Sequence, residues 1–173
     1  MSFHFNDRIS ILKVSDAIIS IGYFLCKKNS NGLSDIIDTR EKTHFEVFSE
    51  GKDLGIDAYK KTKNGITTIV QAKRTEDFKD LLKVLKNSEL AKIKKLNPDR
   101  YILITSSAIS KTQKPKIIEL LSPYIKNSND IISKDDLNKY LTKEKYKKIE
   151  LNYPSLWFNS ANTFLKEMSN VVN

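Results

Sequence analysis

The alternation of apolar and polar positions predicts a series of helices and strands around one core. Residues 5 to about 27 form the first pattern, an amphipathic helix whose apolar side chains are Ile11, Val14, Ile18, Ile21 and Leu25. Residues 28–43 are polar and rich in turn-forming residues, which predicts a loop with at most one short helical turn. Residues 44–49 alternate between apolar and polar, and this period of two predicts a strand.

The middle of the chain contains the clearest turn and stop signals. The pair Asn64-Gly65 lies between two alternating runs and predicts a β-hairpin. The next segment, from Thr75 to Leu96, predicts a long helix that ends at Asn97-Pro98. Its apolar side chains are Phe78, Leu81, Leu82, Leu85, Leu90 and Ile93. Residues 101–106 form a short apolar run, which predicts a buried strand at the centre of the sheet.

The last third of the chain predicts two capped helices around one short strand. Ser110 and Gln113 form a plausible capping box for a helix to about Ile125, and Ser133 and Asp136 form another for a helix to about residue 148. The strand lies between them, at residues 130–133. A helical pattern from residue 155 has no stop signal, so we expect residues 1–173 to be one domain, the N-terminal part of a longer protein. Trp157 is expected to pack at the C-terminal side of this domain.

The order of these elements predicts the fold class. A helix, three strands and then helices alternating with strands indicate an α/β fold in which helices flank a mixed central sheet. The length allows one compact domain with a substantial core.

The hairpin can pair in two registers, and they place different residues together. A two-residue loop at Asn64-Gly65 sets Asp57 opposite Ala72 and mixes polar with apolar side chains on both faces. A three-residue loop, residues 63–65 with Gly65 in the left-handed conformation, sets Ala58 opposite Val70 and leaves one apolar face. Burial of that face favours the second register. It gathers Asp57, Gln71 and Lys73 at one end of the hairpin.

These three side chains suit metal-assisted cleavage of a phosphodiester. The carboxylate of Asp57 is a hard ligand for Mg²⁺ or Mn²⁺, and the backbone carbonyl of Ala72 could be another. The Lys73 ammonium could orient or deprotonate the attacking water and offset the charge of the transition state. The alternative interpretation is structural: Asp57 and Lys73 form an ion pair at the strand end.

Net charge and cysteine content limit the possible partners and the compartment of the protein. The formal net charge is +9, which is either a solubility feature of a lysine-rich chain or a field that attracts nucleic acid. The single cysteine, Cys26, excludes an internal disulfide and fits a reducing compartment, so we expect a cytoplasmic protein. The apolar run that contains Cys26 also contains Lys13 and Asp16 and is too short and too polar to span a membrane.

Several segments resemble one family of nucleases. "GKDLGID" followed by "IVQAK" resembles the D-(x)n-(E/Q)-x-K signature of the restriction endonuclease-like fold, and more narrowly its Mrr-type branch. "NPDRYILITSSAISKTQKPKIIELLSPYI", "NDIISKDDLN" and "LWFNSANTFL" resemble the N-terminal nuclease effector domain of antiviral STAND-type NTPases. The resemblance implies a restriction endonuclease-like fold and a metal-dependent DNA endonuclease that acts in antiphage defence.

The resemblance also implies roles for single residues. Asp57 matches the metal-binding aspartate, Gln71 the acidic or amide position, and Lys73 the catalytic lysine. Such nucleases often take one more carboxylate from the first helix, where Asp16 is the candidate. Gln71 departs from the commoner glutamate, which leaves the number of metal ions open.

The expected partners are DNA and further copies of the chain, and no membrane. The long helix presents Lys83, Lys86, Lys92 and Lys95 to DNA or, in the other interpretation, to solvent. Cutting both strands generally needs two such sites, so we expect a homo-oligomer. Two alternatives share the sequence features: a non-catalytic DNA-binding or scaffolding module of the same fold, and a nuclease specific for RNA or for junctions.

Overall fold

A computed structural model describes residues 30–48, 56–141 and 143–146 of the chain. These residues form an α/β fold built on a five-stranded open sheet with the strand order β1-β2-β3-β4-β5. The strands are β1 (Glu46–Val47), β2 (Ala58–Lys61), β3 (Thr67–Lys73), β4 (Arg100–Thr105) and β5 (Ile131–Ile132). The first three pair antiparallel and the last three pair parallel, so the sheet is mixed, as the sequence predicts.

Helices connect the strands and pack against the sheet. The α-helices are α1 (Ser30–Glu41), α2 (Phe78–Val84), α3 (Leu90–Leu96), α4 (Lys114–Leu121) and α5 (Lys134–Leu141). A π-helical turn, Leu85–Glu89, joins α2 to α3, and short 3₁₀ turns occupy Ser128–Asp130 and Glu144–Tyr146. Within the part of the chain that the structure describes, no helix is both long enough and apolar enough to cross a membrane.

The hairpin between β2 and β3 has the predicted register. Ala58 faces Val70, and the ladder runs to the pair Lys61–Thr67. The turn closes through the N–H of Thr62, which donates to the carbonyl of Ile66 at 2.9 Å. Gly65 has a φ of 81°, the left-handed conformation that glycine adopts without a side-chain clash. The loop is therefore the three-residue one, and the prediction is confirmed.

Strand β4 is buried on both faces, which explains its apolar run at residues 101–104. One face of the sheet packs against the segment from α2 to α3 and against α4. That cluster contains Ile69, Leu81, Leu85, Ile93, Tyr101, Leu103, Ile117 and Leu121. The other face is buried too, at Val70, Ile102, Ile104 and Ile132. Strand β4 lies between β3 and β5, so it is an inner strand, but β3 and not β4 is the central strand of the five.

The prediction of a loop for residues 28–43 is wrong. Residues Ser30–Glu41 form α1, a helix of 12 residues. Its inward face carries Ile36 and Ile37, which are 1% and 0% exposed. Burial of these two side chains outweighs the turn-forming composition around them, because tertiary packing overrides local propensity.

Helix boundaries also differ from the predictions. Helix α2 begins at Phe78 with Asp77 as its N-cap, and α3 ends at Leu96 with Asn97 as its C-cap, which is left-handed with a φ of 43°. Helix α4 ends at Leu121 rather than near Ile125. The predicted capping box of α5 is present, since the N–H of Ser133 donates to Asp136, but this helix ends at Leu141. The predicted first helix, Asp16, Cys26 and Trp157 lie outside the described residues.

A buried ion cluster joins α1, β4 and the turn before β5. The guanidinium of Arg100 contacts Asp130 at 2.6 Å and Glu41 at 2.7 Å. Burial would lower the pKa of Arg100, but hydrogen bonds to Glu41 and Asp130 raise it above its usual value. The Asp130 side chain is fully buried. The cluster therefore fixes the end of the sheet that carries the amino terminus of β4.

Removal of the charge at this cluster is expected to destabilise the fold. The change Asp130→Asn leaves the Arg100 guanidinium without one of its two carboxylates, and we expect a loss of about 2 kcal/mol in the free energy of unfolding. Glu119→Gln, at an exposed position of α4, is the control, with an expected change below about 0.5 kcal/mol. Urea unfolding followed by circular dichroism measures both. Equal stability of the two variants would contradict a structural role for the cluster.

Candidate nucleic-acid-cleaving site

Asp57 lies where the β2–β3 ladder ends. Its N–H donates to the carbonyl of Val70 at 3.3 Å, although Val70 already faces Ala58, so the pairing becomes irregular at this residue. The carboxylate of Asp57 accepts the N–H of Ala72 at 2.6 Å. The carboxylate therefore accepts a hydrogen bond that a backbone carbonyl of a neighbouring strand would otherwise accept. This contact holds the Asp57 side chain against β3.

The same contact orients the backbone carbonyl of Ala72. In a strand, the N–H and C=O of one residue point toward the same neighbouring strand. The N–H of Ala72 points toward Asp57, whereas the carbonyl of Lys73 points to β4 and accepts the N–H of Ser106 at 3.2 Å. The Ala72 carbonyl therefore lies on the Asp57 side, as a shared cation site would require.

Gln71 and Lys73 lie on the sheet face that the α2–α3 segment covers. They alternate with Ala72 along β3 and face Leu103 and Thr105 of β4. Gln71 is buried, at 6% exposure, and the Lys73 side chain is 15% exposed. Lys73 forms an ion pair with Glu89, at 2.8 Å. Its ammonium therefore has a carboxylate partner from outside the hairpin.

Glu89 is the site residue that sequence reasoning missed. Its side chain is 2% exposed, and Oε1 contacts both the Lys73 ammonium and the Lys92 ammonium, the latter at 3.1 Å. Steps of four residues from Leu81 lead to Leu85, Glu89 and Ile93. Glu89 is the polar member of this series. Steps of four residues drift around an α-helix, so this spacing did not by itself place Glu89 on the inward face.

Tyr101 connects the two carboxylates electrostatically. Its ring belongs to the core, and its hydroxyl has no hydrogen-bond partner among the described residues. Burial first, and then the negative charges of Glu89 and Asp57, raise the pKa of Tyr101 well above its usual value. Glu89 and Asp57 therefore lie close enough to one phenol to act on it together, although they come from different elements.

The oxygen donors at this place fit a small hard cation. The candidate donors are the carboxylate of Asp57 and the backbone carbonyl of Ala72, and the amide side chain of Gln71 belongs to the preceding residue of β3. Mg²⁺ binds one or two carboxylates and keeps several waters, so it does not require a cage of acidic side chains. The described residues contain no group of three or more His, Cys, Asp and Glu side chains placed to hold a metal. The donor set therefore suits Mg²⁺ or Mn²⁺ better than Zn²⁺.

Hydroxyl groups fix the chain where it leaves Lys73. Thr75 Oγ1 bonds Ser107 Oγ at 2.7 Å, and Ser106 Oγ donates to the carbonyl of Thr75 at 2.9 Å. Ser107 Oγ also lies within hydrogen-bonding distance of the carbonyls of Thr75 and Asp77, at 3.1 Å from each. The serines that follow β4 thus hold the segment after β3, which restrains the end of the strand that carries Lys73.

A groove begins beside this segment. It has a volume of about 500 Å³, and Arg74, Thr75, Glu76, Asp80, Lys83, Val84, Asn87 and Ser88 line it. Two cationic and two anionic side chains face the same space. The groove runs from the residue after Lys73 along α2, and Asp57, Gln71 and Lys73 are not among the residues that line it.

The four lysines predicted to contact DNA fall into two groups. Lys83, Lys86 and Lys95 are exposed, and Lys83 lines the groove. Lys92 is instead held by Glu89, with its side chain 39% exposed. The structure therefore brings Asp57, Gln71, Ala72 and Lys73 together and gives Lys92 a partner of its own, while Asp16 lies outside the described residues.

Tyr101→Phe is expected to abolish a fall in the free energy of unfolding above pH 10 and to leave stability at pH 7 almost unchanged. The folded protein resists ionisation of this phenol, whereas the unfolded chain ionises near its usual pKa of 10.0. The contribution of this group to the free energy of unfolding is therefore complete below pH 10 and falls as the pH rises above 10. Phenylalanine does not ionise, so the variant should not show this fall. Because the hydroxyl lacks a partner, its removal costs less than about 1 kcal/mol at pH 7. Unfolding from pH 7 to 11 tests this; parallel curves for both proteins would contradict it.

Comparison with known proteins gives one relative. The chain is 30% identical over 139 residues to "Uncharacterized protein y4cD" of Sinorhizobium fredii (strain NBRC 101917 / NGR234). The match covers 80% of this chain but 21% of the relative, so the chain spans about a fifth of the length of the protein it resembles. No family model matches the chain, and no solved structure matches it.

Proposed function

We propose that this chain is a metal-dependent endonuclease domain of the restriction endonuclease-like, Mrr-type fold. The observation that supports the proposal is the contact of the Asp57 carboxylate with the N–H of Ala72, the residue that lies between Gln71 and Lys73 on β3. The substrate is DNA and the reaction is hydrolysis of a phosphodiester. The biological setting proposed is antiphage defence, as the effector part of a longer cytoplasmic protein.

Each residue has a part in this reaction. Asp57, with the Gln71 side-chain carbonyl and the Ala72 carbonyl, would hold Mg²⁺ or Mn²⁺. When bound, the cation would supply Lewis-acid stabilisation of the charge that develops on the phosphate. The Lys73 ammonium donates hydrogen bonds to a phosphate oxygen or orients the attacking water. The water oxygen forms the new bond to phosphorus and gives up a proton to solvent, while the bond to the leaving oxygen breaks and that oxygen takes up a proton from solvent.

The test is incubation of the protein with plasmid DNA and either Mg²⁺ or Mn²⁺. Wild type should nick or linearise the plasmid, whereas Asp57→Ala and wild type with EDTA should not. A version fused to a dimerising domain belongs in the same experiment, because cutting both strands needs two sites. Absence of cleavage by both versions, on DNA, RNA and branched substrates alike, would reject the proposal. DNA binding without any cleavage would favour the scaffolding module.

Binding to DNA should weaken steeply with salt, because each phosphate contact releases counterions. For four contacts we expect affinity to fall on the order of 100-fold between about 50 and 200 mM salt. Replacing both Lys83 and Lys86 by Ala should reduce the slope of log affinity against log salt by about 2. Lys116→Ala, at an exposed position of α4, is the control. Fluorescence anisotropy with a labelled duplex measures these slopes, and a flat response would leave the charge of +9 as a solubility feature.

A further inference from the structure

We propose that Glu89 is a positioning residue of the nuclease reaction. Its buried carboxylate holds the ammonium of Lys73, the last residue of β3. This inference rests on the proposed function and adds to it a residue outside the hairpin, supplied by the helical segment that covers the sheet.

The contacts define the arrangement. Glu89 Oε1 lies 2.8 Å from the Lys73 ammonium and 3.1 Å from that of Lys92. The two lysines differ in setting, because the Lys73 side chain is 15% exposed and that of Lys92 is 39% exposed. Glu89 Oε2 has no hydrogen-bond partner among the described residues, and neither has the nearby Tyr101 hydroxyl. One carboxylate oxygen thus contacts the two lysines, and the other is buried without a hydrogen-bond partner among the described residues.

The π-helical turn explains how a glutamate reaches this place. In an α-helix, positions four residues apart drift by about 40° around the axis at each step. Leu81, Leu85, Glu89 and Ile93 all point inward although three such steps separate the first from the last. The wider turn at Leu85–Glu89 offsets the drift and keeps Glu89 on the face toward the sheet. An unbroken α-helix would rotate the later positions away from β3.

Stability alone does not account for this pair. Burial of a carboxylate is costly, and a buried ion pair often contributes no more to stability than apolar side chains of the same volume would. The neighbours of Glu89 on this face, Leu85 and Ile93, are such side chains. A glutamate at this position has the distinct effect of fixing where the Lys73 nitrogen lies.

A fixed nitrogen matters for the chemistry proposed for Lys73. A lysine side chain has four flexible bonds beyond its backbone, and an ammonium has three donors. Glu89 takes one donor, which leaves two that point away from it and restricts the side chain to few rotamers. Placing a catalytic group within a narrow range of positions is a large part of rate enhancement.

The first test reads the contact itself and needs no cleavage. NMR spectra that detect lysine ammonium groups show those held in buried ion pairs, because their protons exchange slowly. Wild type should show a Lys73 ammonium signal, assigned by its loss in Lys73→Arg. Glu89→Gln should remove it, whereas Glu119→Gln should leave it in place. A Lys73 signal that persists in Glu89→Gln overturns the proposal.

The second test separates positioning from binding. In single-turnover cleavage of a duplex with Mg²⁺, Glu89→Gln should lower the rate constant about 100-fold while the dissociation constant for DNA changes less than about twofold. Glu89→Asp keeps the charge and should recover part of the rate. If Glu89→Gln does not fold, a folded Glu89→Asp variant that cuts at the wild-type rate overturns the proposal instead.

The outcomes distinguish this inference from the proposed function. Cleavage by wild type, together with a wild-type rate for a folded Glu89→Gln variant, overturns the role of Glu89 and leaves the nuclease in place. If wild type cuts no nucleic acid while Glu89→Gln still removes the Lys73 signal, the proposed function fails, and with it the catalytic role of Glu89. Loss of the signal together with loss of rate supports both.

Discussion

Asp57→Asn is expected to abolish cleavage while the protein stays folded. Asn keeps the shape of the side chain and an oxygen that can still accept the N–H of Ala72, so the end of the hairpin should hold. It removes the negative charge that would bind the cation. Loss of several kcal/mol of stabilisation at the developing charge corresponds to about a 1,000-fold or greater loss of rate. Single-turnover cleavage of a duplex at saturating protein measures it.

Cation binding gives Asp57→Asn a second readout that does not depend on activity. Titration of Mn²⁺, followed by the electron paramagnetic resonance of free Mn²⁺, should show weaker binding to Asp57→Asn than to wild type. Gln71→Glu is the matched variant, because it adds a carboxylate at the neighbouring buried position and should tighten binding. An Asp57→Asn protein that still cuts, or a Gln71→Glu protein with a wild-type titration, would contradict the cation site described here.

The hairpin was predictable because one rule located the turn and a second rule chose its register. Asn64-Gly65 marked the turn, and the demand for one apolar face selected the three-residue loop. The register Ala58–Val70 and the left-handed Gly65 follow from these rules. The contact of Asp57 with the Ala72 N–H was not predictable, because it depends on the irregular pairing at the end of the ladder.

The partner of Lys73 was not predictable for a related reason. A glutamate in a lysine-rich helix normally faces solvent, and the sequence around Glu89 contains lysines on both sides. Its inward position depends on the π-helical turn, which has no known local sequence signature in this segment and arises from packing against β3. Long-range packing also explains why α1 is a helix, since Ile36 and Ile37 are buried in a segment whose composition favours turns.

The two parts of the candidate site, the hairpin and the helical segment, depend on different interactions. The hairpin supplies Asp57, Gln71 and Lys73 by local pairing, whereas the helical segment supplies Glu89 by tertiary packing. A change in the packing of that segment would therefore move the lysine partner without moving the aspartate. This makes the two sets of variants informative separately, because the Asp57 variants test the cation and the Glu89 variants test the ammonium.

Lys73→Ala is expected to abolish cleavage while most of the affinity for DNA remains. One lysine among 30 basic residues adds little to the total field, so the salt slope of binding should fall by no more than about 1. The rate should fall about 1,000-fold, because the ammonium would act only where charge develops in the transition state. Glu89 keeps Lys92 as a partner, so thermal unfolding should show a folded protein.

Lys79→Ala, at an exposed position of α2, is the control for Lys73→Ala and should cut at the wild-type rate. Lys73→Arg provides a stricter comparison, because it keeps the charge but replaces a compact ammonium by a planar guanidinium of different reach. We expect it to bind DNA as wild type does and to cut poorly. If Lys73→Ala instead lost affinity and rate in the same proportion, Lys73 would contribute to binding alone, and the hairpin end would be a contact surface for DNA rather than a centre of hydrolysis.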